Sequence, residues 1–454
     1  SRDARQGAPA VLEIAMEEAV RVGLRVYVLA EPVSTPHNYF AVMHLTREHP
    51  KTMGVAITAS HNPREYIGMK MTVPPARAIG LDCGPRGGMT RVRQLYHEGA
   101  KLPHRGDGTL ELIDLTDEYI DFCMQLAHVK PGDLKDLSVV IDTFHGSAGP
   151  ACYQALTRAG ATVEPIRLIP NGEFPTGSPN PTSRGKLAHT QRVAKHLDYD
   201  VMIGMDGDGD RAVFGDGRGI LSAGFAMLPI LKTWMETNDW DRPAPVLYDP
   251  KVNPLALAEW SQLGAAPLLF RNGHSQIKDY MLDKHAVAAA EESGHYYLRL
   301  SVGDLQVSSE LTLANILMFL KALADDRGLM RRLWELEGKV FTTGEFNHQF
   351  ESDETRDKAL DAAIAHLVDQ GATPVTATPE GIELQGTVIS QGVLSNGKGV
   401  TLEPGWYCGY LRASTNEKCV GRSYFSADDP VVGQKIESEI RDILEREYGG
   451  RTVE

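Results

Sequence analysis

Asp206-Gly207-Asp208-Gly209-Asp210-Arg211, entered from the apolar run Val201-Met202-Ile203-Gly204-Met205, is the stretch on which the reading of this chain turns. The run from Val201 to Met205 predicts a buried strand. Carboxylates at alternate positions beyond it would repel one another without a cation among them. The intervening glycines let the backbone turn tightly enough for the three side chains to converge. Hard oxygen donors in that arrangement suit Mg²⁺ or Ca²⁺ rather than zinc or copper. An EF-hand is excluded, because Arg211 stands where glycine is needed and Gly217 where a bidentate glutamate is needed. Gly207, Gly209 and Ala212 also fit the dinucleotide pattern G-x-G-x-x-A, but the interleaved aspartates would repel a pyrophosphate. On these residues alone, a solvated acidic turn remains the alternative.

With 454 residues the chain has room for three or four domains, and 42% hydrophobic with 23% charged residues is the balance of an ordinary globular protein. Its 46 basic and 60 acidic side chains give a net charge of -14, which disfavours general binding to nucleic acid or an anionic membrane. An anionic substrate then needs a locally basic pocket. Cys83, Cys123, Cys152, Cys408 and Cys419 form no zinc spacing, and an odd, unpatterned set reads as the reduced thiols of a cytoplasmic protein. No apolar run has the roughly 20 residues needed to span a bilayer, and no signal peptide opens the chain. The start at Ser1-Arg2-Asp3, without Met, leads us to expect an upstream segment.

Leu12, Ala15, Ala19 and Val22 recur at helical spacing, and Gly23 closes that helix. A strand from Arg25 to Ala30, a helix from Tyr39 to Arg47 and a strand from Met53 to Thr58 follow, an alternation that predicts a mostly parallel sheet covered by helices. The chain then reads Thr58-Ala59-Ser60-His61-Asn62-Pro63. Pro63 stops the strand and restricts Asn62, which fixes Ser60 on a loop at the strand's carboxyl end, where ligands bind in open α/β sheets. No G-x-S-x-G elbow frames Ser60 as a hydrolase nucleophile, and a turn or capping serine is the plain alternative. Lys70 is close enough in sequence to reach the same loop. A linking helix from Leu110 to Lys130 leads to a second unit: strand Leu137 to Asp142, helix Cys152 to Ala159, connector Pro170 to Ser183, then the strand of the acidic loop.

A third unit begins near Gly219, with strands Val246 to Tyr248, Pro267 to Phe270 and Val287 to Ala290. These lead into Asp249-Pro250-Lys251, Arg271-Asn272-Gly273-His274 and Glu291-Glu292-Ser293-Gly294-His295 respectively, and a helix carries Lys278. From Lys339 the texture changes to glycine-rich, strand-like pieces between helices Asp357 to Gln370 and Val432 to Glu447. There Arg412-Ala413-Ser414-Thr415-Asn416 joins a guanidinium to hydroxyl and amide groups, a set suited to phosphate, each charged hydrogen bond contributing roughly 1.5–3 kcal/mol. Taken singly, all of these have plain readings: solvated lysines, a core-edge histidine, a solvated glutamate pair, a surface Arg-x-Ser.

As an ordered set the loops resemble the α-D-phosphohexomutase family, most closely its phosphomannomutase/phosphoglucomutase branch, over essentially the whole chain. Thr58 to Pro63 resembles the catalytic phosphoserine loop, Asp206 to Arg211 the metal loop, Ala290 to His295 the sugar-recognition loop, and Arg412 to Asn416 the phosphate-binding loop. Arg2-Asp3-Ala4-Arg5, Phe174-Pro175, Pro179-Asn180-Pro181 and Gly273-His274-Ser275 are weaker matches. The resemblance implies three consecutive α/β domains with mixed, mostly parallel sheets plus a smaller α+β C-terminal domain around a central cleft. We place these at residues 1–117, 118–218, 219–336 and 337–454.

It also implies reversible conversion of hexose 1-phosphate and hexose 6-phosphate, of mannose or glucose, through a phosphoserine at Ser60 and a hexose 1,6-bisphosphate that doubles as activator. Mg²⁺ would be held by Ser60, Asp206, Asp208 and Asp210. Lys70 resembles the general acid/base, with His61 and Arg211 lining the reacting phosphate. Lys251, His274, Glu291, Ser293 and His295 resemble substrate-binding residues, and Arg412, Ser414, Thr415 and Asn416 the phosphate holders. Phosphoglucosamine mutase is the alternative within this class, since its sugar loop also carries Ser-Gly-His. A sugar-phosphate-binding homologue without turnover and a metal-dependent phosphatase lie outside it. The expected partners are small sugar phosphates, with neither nucleic acid nor membrane, and the protein would be a monomer or dimer. The sequence departs from the family pattern at Ile67, Ala290, Ser414-Thr415-Asn416 and Asp304-Leu305, and lacks an early strand and Arg-Gly segment ahead of Arg2.

Overall fold

The computed structural model describes residues 1–101, 106–415 and 417–453. They form an α/β protein of several consecutive α/β segments with mixed sheets. The chain divides into two compact units. One comprises Ser1–Ala223, His274–Ala288 and Ser293–Leu329; the other comprises Gly224–Gly273, Ala289–Glu292 and the chain from Met330 onward.

In the first unit the apolar strand Val201–Met205 is buried along its whole length, at the centre of a five-stranded sheet. It runs parallel to Ser138–Asp142 on one side and antiparallel to Ala212–Asp216 on the other. Met205 and Ala212 are the last partners of the antiparallel pairing, so residues 206–211 close a hairpin. Ala194, on the helix Ala188–His196, packs against Val140 and Met202 to cover this sheet. Each fully buried Val or Met side chain contributes roughly 1.5–3 kcal/mol. That burial is what fixes the acidic loop at the carboxyl end of the sheet's central strand.

The Ser60 region departs from the parallel arrangement that its spacing predicts. Strands Arg25–Leu29 and Gly54–Ile57 form, but they are not neighbours. Arg25–Leu29 pairs in parallel with Thr109–Ile113, whereas Gly54–Ile57 pairs antiparallel with Met69–Val73. The edge of Gly54–Ile57 that would have met Arg25–Leu29 is taken by the first residues of the chain: Arg2 bridges Ile57 in parallel, and the Ser1 amine donates to the Val55 carbonyl at 2.9 Å. A cavity of about 710 Å³, lined by Leu12, Met16, Val26, Val28, Val42 and Val55 among others, lies between the two strands.

The helix expected from Tyr39 starts earlier and spans Thr35–Thr46, because Ser34 Oγ accepts from the His37 N–H and Pro36 sits in the first turn. The expected linking helix from Leu110 is a strand followed by a helix, Thr109–Ile113 and Thr116–Leu126. Asp114 accepts from the Thr116 N–H at 2.9 Å and begins the helix there. The first unit also holds the antiparallel pair Tyr296–Val302 and Leu305–Glu310.

In the second unit, Ala244–Tyr248 and Ala265–Leu269 pair in parallel across the helix Pro254–Gln262, which Asn253 caps. Its larger sheet is antiparallel, in the order Thr373–Ala377, Glu383–Ser395, Val400–Ala413, Val420–Ala427, Phe346–Gln349 and Arg451–Val453. Leu360, Ala363 and Leu367 of helix Asp353–Asp369, with Ile436 and Ile440 of helix Pro430–Asp442, join Ile389, Leu411 and Phe425 in its core. Among the described residues, no helix is long and apolar enough to cross a membrane.

Candidate functional site

Ser60 sits in the connection between two antiparallel strands, and its φ of 53° is left-handed, a conformation a non-glycine residue adopts only when its surroundings impose it. The imposing group is Arg5, which has no exposed surface. Its guanidinium donates to the carbonyls of Ser60 (2.5 Å), Pro63 (2.7 Å), Asn62 (2.8 Å) and Tyr66 (3.3 Å), and to Asp3 Oδ2 at 3.0 Å. Asp3 Oδ2 also accepts from Thr58 Oγ1, whose oxygen in turn accepts from the Ser60 N–H. One buried ion pair therefore holds the loop from 60 to 66. Ser60 Oγ is left 3.2 Å from Asp206 Oδ2 and 3.1 Å from His61 Nδ1. Burial, and then the Arg211 cation, push the His61 imidazole down to about 4, so this ring is neutral at pH 7.

The acidic hairpin turns at Gly209, whose φ is 68° and where a Cβ would lie 2.4 Å from the Ala148 side chain. At Gly207 a Cβ would come within 2.8 Å of the Ser60 carbonyl, so this glycine lets the two loops approach. Asp206, Asp208 and Asp210 are buried, and one ligand atom from each lies within 4.8 Å of the others. Burial, then Asp210 and Asp208, hold the Asp206 carboxyl well above the usual carboxylate range. Burial acts in the same sense on Asp210, but Lys70 and His295 outweigh it and hold that carboxyl well below the range.

Lys70 Nζ donates to Asp208 Oδ2 at 2.8 Å and to Asp210 Oδ2 at 2.5 Å. Burial alone would lower the Lys70 pKa; Asp208 and Asp210 together hold it well above its ordinary value. Lys70 arrives here because it lies on Met69–Val73, directly opposite Ala56 in the hairpin that carries Ser60. Thr35 seals the far side, donating from Oγ1 to Asp208 Oδ2 at 2.6 Å and from its N–H to the Asp208 carbonyl. Asp208 Oδ1 remains buried with no hydrogen-bond partner. Three converging carboxylates and an unsatisfied buried oxygen fit a hard divalent cation.

Arg211 Nε lies 3.6 Å from Asp206 Oδ2 and donates toward His295 Nε2 at 3.3 Å. His295 Nε2 is also 3.3 Å from Asp210 Oδ1, and its Nδ1 is 2.8 Å from Ser293 Oγ. The Gly294 carbonyl accepts from the Ala212 N–H, which ties this loop to the acidic hairpin. Half-buried His274 has its Nδ1 3.8 Å from Glu310, and burial with the Lys70 and Lys278 cations holds its pKa well below the ordinary value. The first unit thus gathers Ser60, His61, Lys70, Asp206, Asp208, Asp210, Arg211, Ser293 and His295, with His274 nearby.

Lys251, Glu291, Arg412, Ser414 and Thr415 belong to the second unit, and Asn416 lies outside the described residues. There Asp249, fully buried, accepts from the Lys251 N–H (2.9 Å), the Glu292 N–H (3.1 Å) and Asn272 Nδ2 (3.3 Å). Burial pushes its carboxyl up to about 6 against the pull of Lys251. Glu291 Oε1 accepts from the Gly273 N–H at 3.1 Å. Arg412 is the penultimate residue of the strand Val400–Ala413 and stands directly opposite Arg422. Arg422 donates to Glu345 Oε1 (2.5 Å), Glu417 Oε2 (2.6 Å) and Ser414 Oγ (3.3 Å), and Lys251 Nζ is 3.4 Å from Glu345 Oε2.

Sequence reasoning missed Thr35, Asp249 and Arg422 as members of these clusters, and saw Arg5 only within a weak match. Asp249-Pro250-Lys251 was a visible signal for Asp249. Nothing in the sequence marks Thr35 or Arg422, whose places depend on packing and on strand register.

A family model described as phosphoglucomutase/phosphomannomutase, alpha/beta/alpha domain I, matches residues 1–82, and its domain II counterpart matches residues 117–219. A phosphomannomutase of Salmonella montevideo is 32% identical over 274 residues, 58% of this chain and 57% of that protein. The match therefore spans little more than half the length of that relative. A phosphoglucomutase/phosphomannomutase family protein from Burkholderia thailandensis has a similar fold, with a TM-score of 0.77 at 22% identity over 99% of this chain and 89% of that one. An Aspergillus fumigatus N-acetylphosphoglucosamine mutase, solved with GlcNAc-6P and magnesium, has a TM-score of 0.52 at 12% identity over 91% of this chain and 92% of that one. The domain I and domain II segments of the phosphoglucomutase/phosphomannomutase family are thus matched in order over residues 1–82 and 117–219, and the fold is shared along nearly all of the chain's length.

Proposed function

We propose that this protein is a Mg²⁺-dependent phosphohexomutase that interconverts hexose 1-phosphate and hexose 6-phosphate of mannose or glucose through a phosphoserine at Ser60. The observation that carries the reading is the 3.2 Å approach of Ser60 Oγ to Asp206, on a loop clamped by a buried arginine and beside three buried carboxylates. On this proposal the segments 1–117, 118–218, 219–336 and 337–454 act as four domains, each contributing one of the loops. Mg²⁺ would be held by Asp206, Asp208, Asp210 and the Ser60 phosphate, where it supplies charge neutralisation for phosphoryl transfer. The magnesium and sugar phosphate bound by the Aspergillus mutase support the same chemistry for this fold.

In the first half-reaction the bond between Ser60 Oγ and phosphorus breaks as phosphorus bonds to a sugar hydroxyl, whose proton passes to Lys70. In the second, the opposite phosphoryl group of the 1,6-bisphosphate returns to Ser60 Oγ and Lys70 gives the proton back. Lys70 can take that proton only as the neutral amine, so it must first part from Asp208 and Asp210, which hold it in the ammonium form, and release a proton to solvent. His61 and Arg211 line the reacting group. Lys251, His274, Glu291, Ser293 and His295 read the sugar phosphate, and Arg412, Ser414, Thr415 and Asn416 hold the phosphate that is not reacting.

A second reading, a sugar-phosphate-binding protein without turnover, is favoured by the tight pairing of Lys70. The test is a mutase assay on mannose, glucose and glucosamine 1-phosphates with Mg²⁺ and the bisphosphate activator, paired with intact mass. The mutase reading expects turnover and, in the wild type alone, the added mass of one phosphoryl group. Ser60→Ala should lose that mass and reduce turnover by orders of magnitude. Near-normal turnover in Ser60→Ala rules out the covalent role; ligand binding without isomerisation in the wild type selects the second reading. Preference for the glucosamine ester would select phosphoglucosamine mutase.

A further inference from the structure

Arg412 and Arg422 face each other as register partners on adjacent antiparallel strands. Like charges directly opposite each other on a sheet destabilise it. In a chain of net charge -14, this pair and Lys251 form a local concentration of positive charge. Two carboxylates answer it. Glu345 accepts from Arg422 Nη1 at 2.5 Å and lies 3.4 Å from Lys251 Nζ, while Glu417 accepts from Arg422 Nη2 at 2.6 Å and from Ser414 Oγ at 3.1 Å.

Arg422 thus has every face of its guanidinium engaged, Nε included, by Ser414 Oγ at 3.3 Å. Burial raises the Glu345 pKa, but Lys251, Arg422 and Arg412 outweigh it and keep the carboxylate ionised. Glu345 is partly exposed, at 27% for its side chain, and follows Gly344, whose φ is 67°. It is therefore anchored by charge on a turn rather than by packing. Two oxygens of a tetrahedral phosphate dianion can meet a guanidinium fork bidentately, as the two of a carboxylate do, with more charge.

We propose that Glu345 is a built-in counter-ion of this basic cluster, displaced from Arg422 when a phosphate monoester binds there. The inference rests on the proposed phosphate-binding role of Arg412 and Ser414. Glu345 competes with the ligand for Arg422, which lowers affinity and keeps the opposed arginines neutralised between ligands. Arg422 then exchanges one oxyanion for another instead of opening an unpaired site.

Isothermal titration of inorganic phosphate into the whole protein, without divalent cation and at fixed ionic strength, tests this. Glu345→Gln should tighten phosphate binding roughly tenfold, a change of about 1.4 kcal/mol. Arg422→Gln should weaken it roughly tenfold, and the double variant should behave like Arg422→Gln. Unchanged or weaker binding in Glu345→Gln, or a gain that survives in the double variant, overturns the proposal; so does a wild type that takes up no phosphate. Carbodiimide labelling of the wild-type protein needs no variant: labelling at Glu345 should rise on saturation with phosphate, and constant labelling refutes displacement. A wild type that binds phosphate in this way but isomerises no hexose phosphate overturns the mutase reading alone. One that isomerises while Glu345→Gln leaves phosphate affinity unchanged overturns this inference alone.

Discussion

Replacing Arg5 by lysine separates the charge of this buried group from its shape. The guanidinium meets four backbone carbonyls of the Ser60 loop and the Asp3 carboxylate at 2.5–3.3 Å. An ammonium has three donors radiating from one point and cannot span that set. With the Asp3 pairing kept, at least two carbonyls lose the donor that the fully buried Arg5 side chain gave them. A buried acceptor left unpaired costs about 1–3 kcal/mol, so the loop should lose about 2–6 kcal/mol. Because the chain has more than one unit, a single unfolding midpoint would blur this local effect. Hydrogen exchange resolves it. The amides of Asn62 and Tyr66 donate within the loop, to Ala59 and Pro63. In Arg5→Lys their protection should fall by about 30-fold or more, since 1.4 kcal/mol is a factor of ten. Turnover should fall with it, because Ser60 holds its left-handed conformation only while the loop is clamped. Protection changed less than about threefold at both amides, with turnover retained, would refute the view that Arg5 sets the position of Ser60.

Two further predictions address the carboxylates. Asp208→Asn keeps the size of the side chain but removes its charge from the cluster, and Mn²⁺ titration followed by electron paramagnetic resonance should show affinity reduced about tenfold or more; an unchanged binding curve would count against the acidic hairpin as the metal site. Asp249 is buried with its carboxyl pushed from 3.8 up to about 6, so the folded protein takes up a proton in that interval before the unfolded chain does. Its stabilising contribution is fully present below pH 3.8 and is lost as pH rises through about 6, an effect of about 3 kcal/mol. Asp249→Asn abolishes this dependence, so its stability relative to the wild type should rise by about that amount between pH 4 and pH 7, as measured by denaturant unfolding at each pH. Parallel curves for the two proteins would refute the assignment.

The sequence made the local chemistry legible wherever one residue type performs one task. Alternating Asp and Gly announced converging carboxylates, and the all-apolar run Val201 to Met205 announced the strand beneath them, because both features are properties of contiguous residues. Pro63 likewise marked where the Ser60 loop leaves its strand. Strand partnership was less legible. Spacing gave Arg25–Leu29 and Gly54–Ile57 correctly as strands, yet their alternation with a helix suggested neighbours in one parallel sheet. What separates them is the return strand Met69–Val73 on one edge and the first residues of the chain on the other, neither of which a window on the helix and its flanks contains.

The same limit explains which members of the clusters stayed hidden. Lys70 could be proposed by its distance along the chain, but the hairpin register opposite Ala56 is what delivers it to Asp208 and Asp210. Arg422 had no motif at all, and only its register opposite Arg412 brings two guanidinium groups side by side. Arg5 and Thr35 carry the lesson furthest. Arg5 is a long, charged residue near the start of the chain, a type rarely buried without a partner. Its burial becomes tolerable only because Asp3 and a ring of loop carbonyls satisfy it together. Thr35 opens a helix, where a hydroxyl is ordinarily read as a cap, yet its oxygen is turned to Asp208. In both cases the residue's role is set by acceptors distant in sequence, so a local pattern can nominate the reacting groups while leaving out the groups that hold them in place.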